Sequence, residues 1–456
     1  MRENLSLFFR YTLQPMSFKS HPFPADLSPA FAAAVASGSL RKTVETVLES
    51  ESSPVYRRRD LVGYALVLGT IGFGGPVALV GAMHRDLVER RQWISEAEYK
   101  EGLTLAQLMP GPLAAQLAIY LGYVHYGVIG AALVGIAFVL PSFLMVLALG
   151  WAYVEYGGIS WMQAVFYGIG ASVIGIITIS AWKLTQKTLG TNRLLWSIYL
   201  VSAAATVVTE TENVLLFLAA GLLVWMLRTP PKQPTVGVAV GYSAPMLMLV
   251  PPAAEESLRL LLMKIAVFFT KAGAFVFGSG LAIVPFLYGG VVKEYGWLND
   301  REFLDAVAVA MITPGPVVIT VGFIGYLVTG RDPTTAQSSG FWIGSAGALV
   351  AALATFLPCY LFTIIPAPYF KKHGKKPGIV AFVDGVTAAA VGAIAGACVV
   401  LGRRTLFPDG WTPDIPKIVI LLVTLGLLLR FKKLPEPVIV LGAAVVGLIA
   451  HPFLSG

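Results

Sequence analysis

Long apolar runs alternate with short polar loops over most of this chain. The runs lie at Leu61–Met83, 128–153, 161–182, 194–208, 213–227 and 260–277. Most approach the length of about 20 residues with which an α-helix spans the hydrocarbon core of a bilayer. The pattern predicts an all-α polytopic membrane protein.

Two apolar stretches are interrupted by the same tripeptide, Pro110-Gly111-Pro112 and Pro314-Gly315-Pro316. Proline lacks a backbone donor and pushes the preceding residue into an extended conformation, so neither stretch can continue as one α-helix. A second kind of break, Gly72-Phe73-Gly74-Gly75-Pro76, has a counterpart at Phe277-Gly278-Ser279. A lone break of this kind favours a packing kink. Two kinds of break, each duplicated, favour a binding site lined by broken or re-entrant helices.

The two halves of the chain repeat each other in register. Matched at one offset are Trp93 with Trp297, Glu98 with Glu302, and Pro110-Gly111-Pro112 with Pro314-Gly315-Pro316; Leu140-Pro141-Ser142-Phe143 matches Leu357-Pro358-Cys359-Tyr360 after an insertion. The repeat predicts a cytoplasmic leader over 1–60, a first transmembrane repeat over 61–230, a connector over 231–259 and a second repeat over 260–456. Within the connector, Thr235–Val250 could supply an extra crossing.

Loop charges predict that the two halves are inverted with respect to the membrane. Glu155 is the only charged residue between Tyr153 and Ser160, which suits the outside, whereas the matching loop Lys371–Lys376 is strongly basic and suits the inside. Inverted repeats with broken helices recur among secondary transporters. The run Leu61–Met83 is basic at both flanks, which favours a re-entrant hairpin over a true crossing, and the Pro110 segment would then be re-entrant too.

Composition narrows the class of protein further. Only 13% of the 456 residues are charged, against roughly 25% in soluble domains. The net charge of +8 fits basic cytoplasmic loops or an anionic substrate equally well. Nucleic-acid binding is not expected, because no basic patch is interleaved with aromatic residues. The two cysteines, Cys359 and Cys398, lie in apolar segments and predict buried thiols; no metal or cofactor site is expected.

The helix breaks are the candidate binding site for a substrate. A helix that begins at Pro112 or Pro76 directs free N–H groups and a positive dipole end at whatever precedes it, which is an anion site without a charged side chain. We therefore expect a small dianion to bind among Gly74, Gly75, Pro76, Gln107, Pro110, Gly111, Pro112, Gly278, Ser279, Thr313, Pro314, Gly315 and Pro316. No nucleophile–base pair is present, so a membrane-embedded enzyme is disfavoured.

Charged residues within apolar runs supply the remaining candidates. Lys271 lies six residues before Phe277 and within reach of the anion, whereas Lys264 is expected to extend to the interface. Asp384 is the candidate for proton coupling, since a buried carboxylate titrates near neutral pH. Capping a helix is the alternative role for Asp384, and capping is also expected of Glu98 and Glu302.

The chain resembles the chromate ion transporter family in its long, two-domain form. The resemblance rests on Gly72-Phe73-Gly74-Gly75-Pro76, Trp93-Ile94-Ser95-Glu96, Leu105–Pro112, Gly122-Tyr123 and Phe138–Phe143, and it covers about Leu61 to Ile449. The order and spacing of these motifs are specific, although any one alone would be weak.

This resemblance implies a multi-pass protein of the inner membrane that exports chromate, is driven by the proton-motive force, and thereby confers chromate resistance. Sulfate, which has the same charge and shape, is the expected competitor. A carrier for sulfate or another oxyanion and an anion channel are the alternatives. A homodimer is a candidate assembly.

Overall fold

A computed structural model of the chain describes residues 56–72, 75–156, 160–210, 214–229, 258–274, 280, 283–331, 336–373, 376–407, 412–431, 434 and 436–454. All regular elements within these ranges are helical. In the first half they are α1 (Arg58–Ile71), α2 (Gly75–Met83), α3 (Glu96–Leu108), α4 (Leu113–Tyr156), α5 (Ser160–Leu189), α6 (Arg193–Thr209) and α7 (Val214–Arg228). In the second half they are α8 (Leu258–Ala274), α9 (Ile283–Leu287), α10 (Asp300–Ile312), α11 (Thr320–Gly330), α12 (Ala336–Ile364), α13 (Ala367–His373), α14 (Pro377–Leu406), α15 (Ile415–Arg430) and α16 (Glu436–Leu454).

The long helix α4 consists of two segments that fold back on each other at Gly127. This glycine has φ 61° and ψ −155°, a conformation that interrupts the helix. Gly122 and Gly130, on either side of the turn, lie so close that a Cβ on Gly122 would be 2.6 Å from the carbonyl oxygen of Gly130. The segments before and after Gly127 therefore correspond to α11 and α12 of the second half.

Equivalent helix contacts recur in the two halves. A Cβ on Gly69 of α1 would lie 2.2 Å from the carbonyl oxygen of Phe138 on α4. At the matching place, a Cβ on Gly273 of α8 would lie 2.1 Å from the carbonyl oxygen of Thr355 on α12. Only glycine permits backbones to approach so closely. A π-helical turn also follows the second helix of each half, at His84–Arg90 and Tyr288–Glu294.

The last two helices of each half pack against the other half. Helices α6 and α7 contact α14, while α15 and α16 contact α5. Gly385 of α14 faces the carbonyl oxygen of Ala220 on α7, and Gly168 of α5 faces that of Ala443 on α16. The halves therefore exchange their C-terminal helix pairs and share one interior.

The helices confirm a multi-pass membrane protein. Among the described residues, four helical stretches are long and apolar enough to cross a bilayer: Leu113–Tyr156, which includes the turn at Gly127, Trp161–Leu189, Gly340–Phe370 and Pro377–Leu406. Shorter apolar helices lie at Arg193–Thr209, Leu215–Arg228, Val317–Gly330 and Glu436–Ile449. Large apolar side chains cover their outer faces, for example Val208 and Trp342, at 82% and 74% exposure. The inversion of the two halves stays a prediction.

Two expectations concern segments outside the described residues. They are the cytoplasmic leader over 1–60, of which only Tyr56 and the residues after it are described, and the extra crossing at Thr235–Val250.

Candidate functional site

The chain reverses direction at Pro110-Gly111-Pro112. Helix α3 ends at Leu108 and α4 begins at Leu113. Gly102 lies against the ring of Tyr120, and Glu98 Oε1 lies 3.1 Å from His125 Nε2, so the helices on either side of the break run back along each other. Gly111 makes the reversal possible with φ +143°, a conformation that favours glycine.

A buried glutamine side chain binds the backbone of the first break. Gln116, in the first turn of α4, is 0% exposed, and its Nε2 donates to the carbonyl oxygen of Pro110 over 2.7 Å. Its Oε1 atom is buried and accepts no hydrogen bond from the described residues. A buried acceptor without a donor costs free energy, which a hydrogen-bond donor such as a water molecule would offset.

The second break, Pro314-Gly315-Pro316, also lies between two helices that fold back on each other. Helix α10 ends at Ile312, and the chain resumes as a 3₁₀ turn, Val317–Ile319, that leads into α11. Thr320 Oγ1 donates to the carbonyl oxygen of Ala306 across the hairpin over 2.8 Å. Gly315 has φ +95°.

This second break contacts the first half directly. The N–H of Gly315 donates to the carbonyl oxygen of Gly72 over 2.9 Å. Ser142 of α4 is fully buried next to this contact. Its Oγ donates to the carbonyl oxygen of Gly69 over 3.5 Å, and it would lie 2.0 Å from a Cβ on Gly315. The structure thus brings a break of one half against the end of α1, where the glycine-rich break of the other half begins.

The glycine-rich breaks are described in part. Helix α1 ends at Ile71 and α2 begins at Gly75, so Pro76 lies in the first turn of α2 as its ring requires. Arg91 lies 5.7 Å from the ring of Tyr64 on α1, which shows that the chain returns after this break. Gly74, Gly278 and Ser279 lie outside the described residues.

The predicted polar donors occupy different positions. Thr313 is buried and caps the end of α10, but its hydroxyl donates to the carbonyl oxygens of Val309 and Ala310, so this hydrogen is already engaged. Gln107 is exposed in the last turn of α3, and Lys271 is exposed in the last turn of α8.

Asp384 does not cap a helix. It lies two turns inside α14, which begins at Pro377, and Arg228 Nη1 donates to its Oδ2 over 2.6 Å. The capping role considered for Asp384 was therefore wrong, since the backbone N–H groups there are already bonded within the helix.

Glu98 and Glu302 form the predicted caps. Ser95 and Glu98 form a reciprocal capping box at the start of α3, and Asn299 and Glu302 form the same arrangement at the start of α10. Burial acts to raise the pKa of Glu98, but hydrogen bonds from the Ser95 hydroxyl and N–H and from His125 outweigh it and hold that pKa below its ordinary value.

Sequence reasoning missed a buried acid on α10. Asp305 is 3% exposed, and Tyr153 Oη donates to its Oδ2 over 2.6 Å. The available signal was a carboxylate directly before the apolar run Ala306–Ile312. Its partner could not be identified from sequence, because Tyr153 lies 152 residues away.

A protein-family model matches most of the chain. The chromate transporter family model matches residues 59–225 and 263–448, which together contain the described breaks. No solved structure matches the chain.

Curated relatives match over almost their whole length. The chain is 65% identical to a chromate transport protein of Cupriavidus metallidurans, with 88% of this chain and 96% of that protein covered. It is 62% identical to a probable chromate transport protein of Synechococcus elongatus, covering 87% and 96%. A chromate transport protein of Pseudomonas aeruginosa is 29% identical over 85% of this chain and 91% of its own length. The chain therefore belongs to the chromate transporter family.

Proposed function

We propose that this protein is a secondary active transporter that exports chromate across the inner membrane, is coupled to the proton-motive force, and thereby confers chromate resistance. Family membership supports transport, and two relatives that are 62% and 65% identical are named for chromate transport. Export, coupling to protons and the choice of chromate over sulfate are the parts that experiments must test.

The observation that carries this proposal is the hydrogen bond between the two halves at their breaks. The N–H of Gly315 is 2.9 Å from the carbonyl oxygen of Gly72. Broken helices at the interface between repeats are where secondary transporters bind substrates and ions. A change in the relative position of the halves would alter this contact. The conformation of the breaks would therefore change as the halves move during transport.

Backbone groups supply the binding chemistry in this proposal. The N-terminal N–H groups of α4 and α2 and the 3₁₀ turn before α11 carry partial positive charge, which suits a small dianion. The proposed substrate-binding residues are those predicted from the sequence: Gly74, Gly75, Pro76, Gln107, Pro110, Gly111, Pro112, Lys271, Gly278, Ser279, Thr313, Pro314, Gly315 and Pro316. Lys271 would contribute long-range attraction from the end of α8.

The predicted inversion of the two halves would complete the mechanism. Two hairpins that enter from opposite faces would expose the same central anion to one side and then the other as the halves rock. Dianion export with proton entry uses both the membrane potential and the pH gradient, because negative charge leaves a negative interior while positive charge enters.

Chromate flux in proteoliposomes of the purified protein tests the proposal. Flux is measured with and without an imposed pH gradient and with sulfate as the competitor. We expect accumulation of chromate against its own gradient when the pH gradient is present. Flux that runs only downhill would instead establish a channel or uniporter. Robust sulfate flux without chromate flux would retain the architecture but identify a sulfate carrier.

The breaks can be tested in the same assay. Replacing Gly111 and Pro112 together by alanine removes the positive-φ residue and the proline directly before α4, which disturbs the reversal, so transport should be abolished while the protein still inserts into the membrane. Normal flux in this variant would exclude a binding site at the first break.

A further inference from the structure

A buried carboxylate lies where the two halves meet, away from the breaks. Asp305 lies in the second turn of α10, about 12 Å along the helix from Thr313 at 1.5 Å per residue. It is 3% exposed, and the neighbouring carbonyl of Ala306 accepts the hydrogen bond from Thr320 of α11. Asp305 is therefore a buried residue of the second hairpin.

The hydrogen-bond partner of Asp305 comes from the other half. Tyr153 lies in the last turns of α4, is 9% exposed, and donates its hydroxyl to Asp305 over 2.6 Å. The ring of Tyr153 is held edge-on by Phe166 of α5 and Phe323 of α11, each at a centroid distance of 5.4 Å. The tyrosine is thus fixed by packing, and its contact with Asp305 depends on the relative position of α4 and the hairpin.

Charged groups around this pair come from several elements. Arg331, directly after α11, lies 5.3 Å from the ring of Tyr153 and pairs with Glu302 over 2.5 Å. Arg301 and Glu302, on α10 itself, also act on Asp305. No positively charged side chain is salt-bridged to Asp305 within the described part of the chain.

The other helices that pack against α10 direct their titratable groups elsewhere. The charges of Lys183 on α5 and Glu436 on α16 act on each other. Tyr167 of α5 donates to Asp414. From the π-helical turn, Tyr288 donates to Asp300 and Lys293 pairs with Glu210. Asp305 is therefore governed by its burial, by Tyr153 and by the more distant Arg301, Arg331 and Glu302.

We infer that Asp305, held by Tyr153 at the contact between the two halves, is the proton-binding residue of the transport cycle; this rests on the proposed proton-coupled function. Burial disfavours the ionised form of a carboxylate, whereas a donated hydrogen bond favours it. A movement that separates α4 from α10 removes the bond from Tyr153 and admits water. The carboxylate binds a proton from one side in one arrangement and releases it to the other side in the next.

The first half provides a natural contrast. By the sequence repeat, Glu101 of α3 corresponds to Asp305, and Phe370 of α13 corresponds to Tyr153. Helix α13 packs against α3, but Phe370 has no hydroxyl to donate, and the half-buried Glu101 interacts instead with Tyr120 of its own hairpin. A carboxylate bonded to a tyrosine of the other half is therefore found at Asp305 and not at Glu101, and Glu101→Gln is the matched control.

The test compares Asp305→Asn, Glu101→Gln and wild-type protein in proteoliposomes. Two readouts are taken: chromate accumulation driven by a pH gradient, and chromate–chromate exchange without a gradient. We expect Asp305→Asn to lose gradient-driven accumulation at least tenfold while exchange persists and becomes independent of pH. Glu101→Gln should retain both activities. Retention of coupling in Asp305→Asn would overturn the inference, as would uncoupling by Asp384→Asn with Asp305→Asn unaffected.

Tyr153→Phe resolves the case in which Asp305→Asn abolishes both activities. This variant keeps the ring packing but removes the hydrogen bond that favours the ionised carboxylate. The pH at half-maximal exchange should therefore rise by about one unit. An unchanged pH profile would overturn the inference. Absence of gradient-driven accumulation in the wild-type protein would contradict the proposed function instead, so the two failures are distinguishable.

Discussion

The two Pro-Gly-Pro breaks have the same sequence but different surroundings. At the first break, the side chain of Gln116 binds the carbonyl of Pro110 and leaves a buried oxygen without a donor among the described residues. At the second, Thr320 occupies the place of Gln116 and bonds to Ala306 within its own hairpin, while Gly315 bonds to Gly72 of the other half.

The two breaks have kept the same backbone conformation, whereas the polar side chains around them have diverged. Both glycines have positive φ, and both hairpins reverse at the same place. The polar groups have diverged, so that the first break has unsatisfied hydrogen-bonding capacity and the second is bound to its neighbours. The oxygen of Gln116 needs a donor that a dianion cannot supply, so it would reach the substrate through a bridging water. We therefore expect the substrate to contact the first break more directly than the second, which also connects the halves.

The largest effect should come from adding a methyl group at the second break. In Gly315→Ala the Cβ would lie 2.0 Å from Ser142 Oγ at a φ that disfavours alanine. In Gly111→Ala the Cβ would lie 2.6 Å from the side-chain amide of Gln116. Rotation of that longer side chain would relieve part of the clash. Backbone strain of this kind costs about 1–3 kcal/mol. We expect chromate flux to fall about 100-fold in Gly315→Ala and about tenfold in Gly111→Ala.

Gly190→Ala is the control for backbone strain alone. Gly190 has φ +50° and open space at its Cβ position. Its flux should stay near that of the wild type. Equal losses in all three variants would show that contact with Ser142 is unimportant.

Smaller effects are expected from two variants that distinguish chromate binding from the stability of the fold. In Gln116→Leu, the loss of one hydrogen bond is offset by removal of the unpaired oxygen, so the melting temperature should change little while the KM for chromate rises about tenfold. Thr320→Val should show the reverse: an unchanged KM and a stability loss of about 1 kcal/mol. Flux kinetics and thermal unfolding in detergent measure both quantities. A similar KM in the two variants would exclude the assignment of substrate contact to the first break.

The smallest effect concerns the caps of the two hairpins. Ser95→Ala and Asn299→Ala should each destabilise the protein by about 1 kcal/mol. Hydrogen bonds hold the pKa of Glu98 below its ordinary value of about 4.3, so its stabilisation is present above that pH and is lost as pH falls through the lowered folded value. Unfolding measured between pH 6 and pH 3 should therefore show a weaker acid dependence in Ser95→Ala. An identical dependence in both proteins would contradict this role of Ser95.

Local chemistry explains what could be predicted from sequence. Proline geometry specified both breaks, and the spacing of Ser95 from Glu98 specified a capping box that the structure contains. These features depend on residues within one helical turn of each other. The register between the halves also required only a constant offset along the chain.

Long-range packing explains what could not be predicted. Gly127 lies among other glycines, including Gly122 and Gly130, so sequence does not identify the one at which the helix reverses. The pairing of Tyr153 with Asp305 and that of Arg228 with Asp384 join residues 152 and 156 positions apart. Such contacts depend on which helices become neighbours, and loop charge and hydropathy do not specify this.

The exchange of helix pairs has a consequence for biosynthesis. Helices α6 and α7 leave the ribosome long before α14, on which they pack, and the hydroxyl of Ser202 binds the carbonyl of Ala389 only after that helix arrives. During this interval the inner faces of α6 and α7 lack their native partner. The packing of the first half is therefore completed only after α14 has been synthesised.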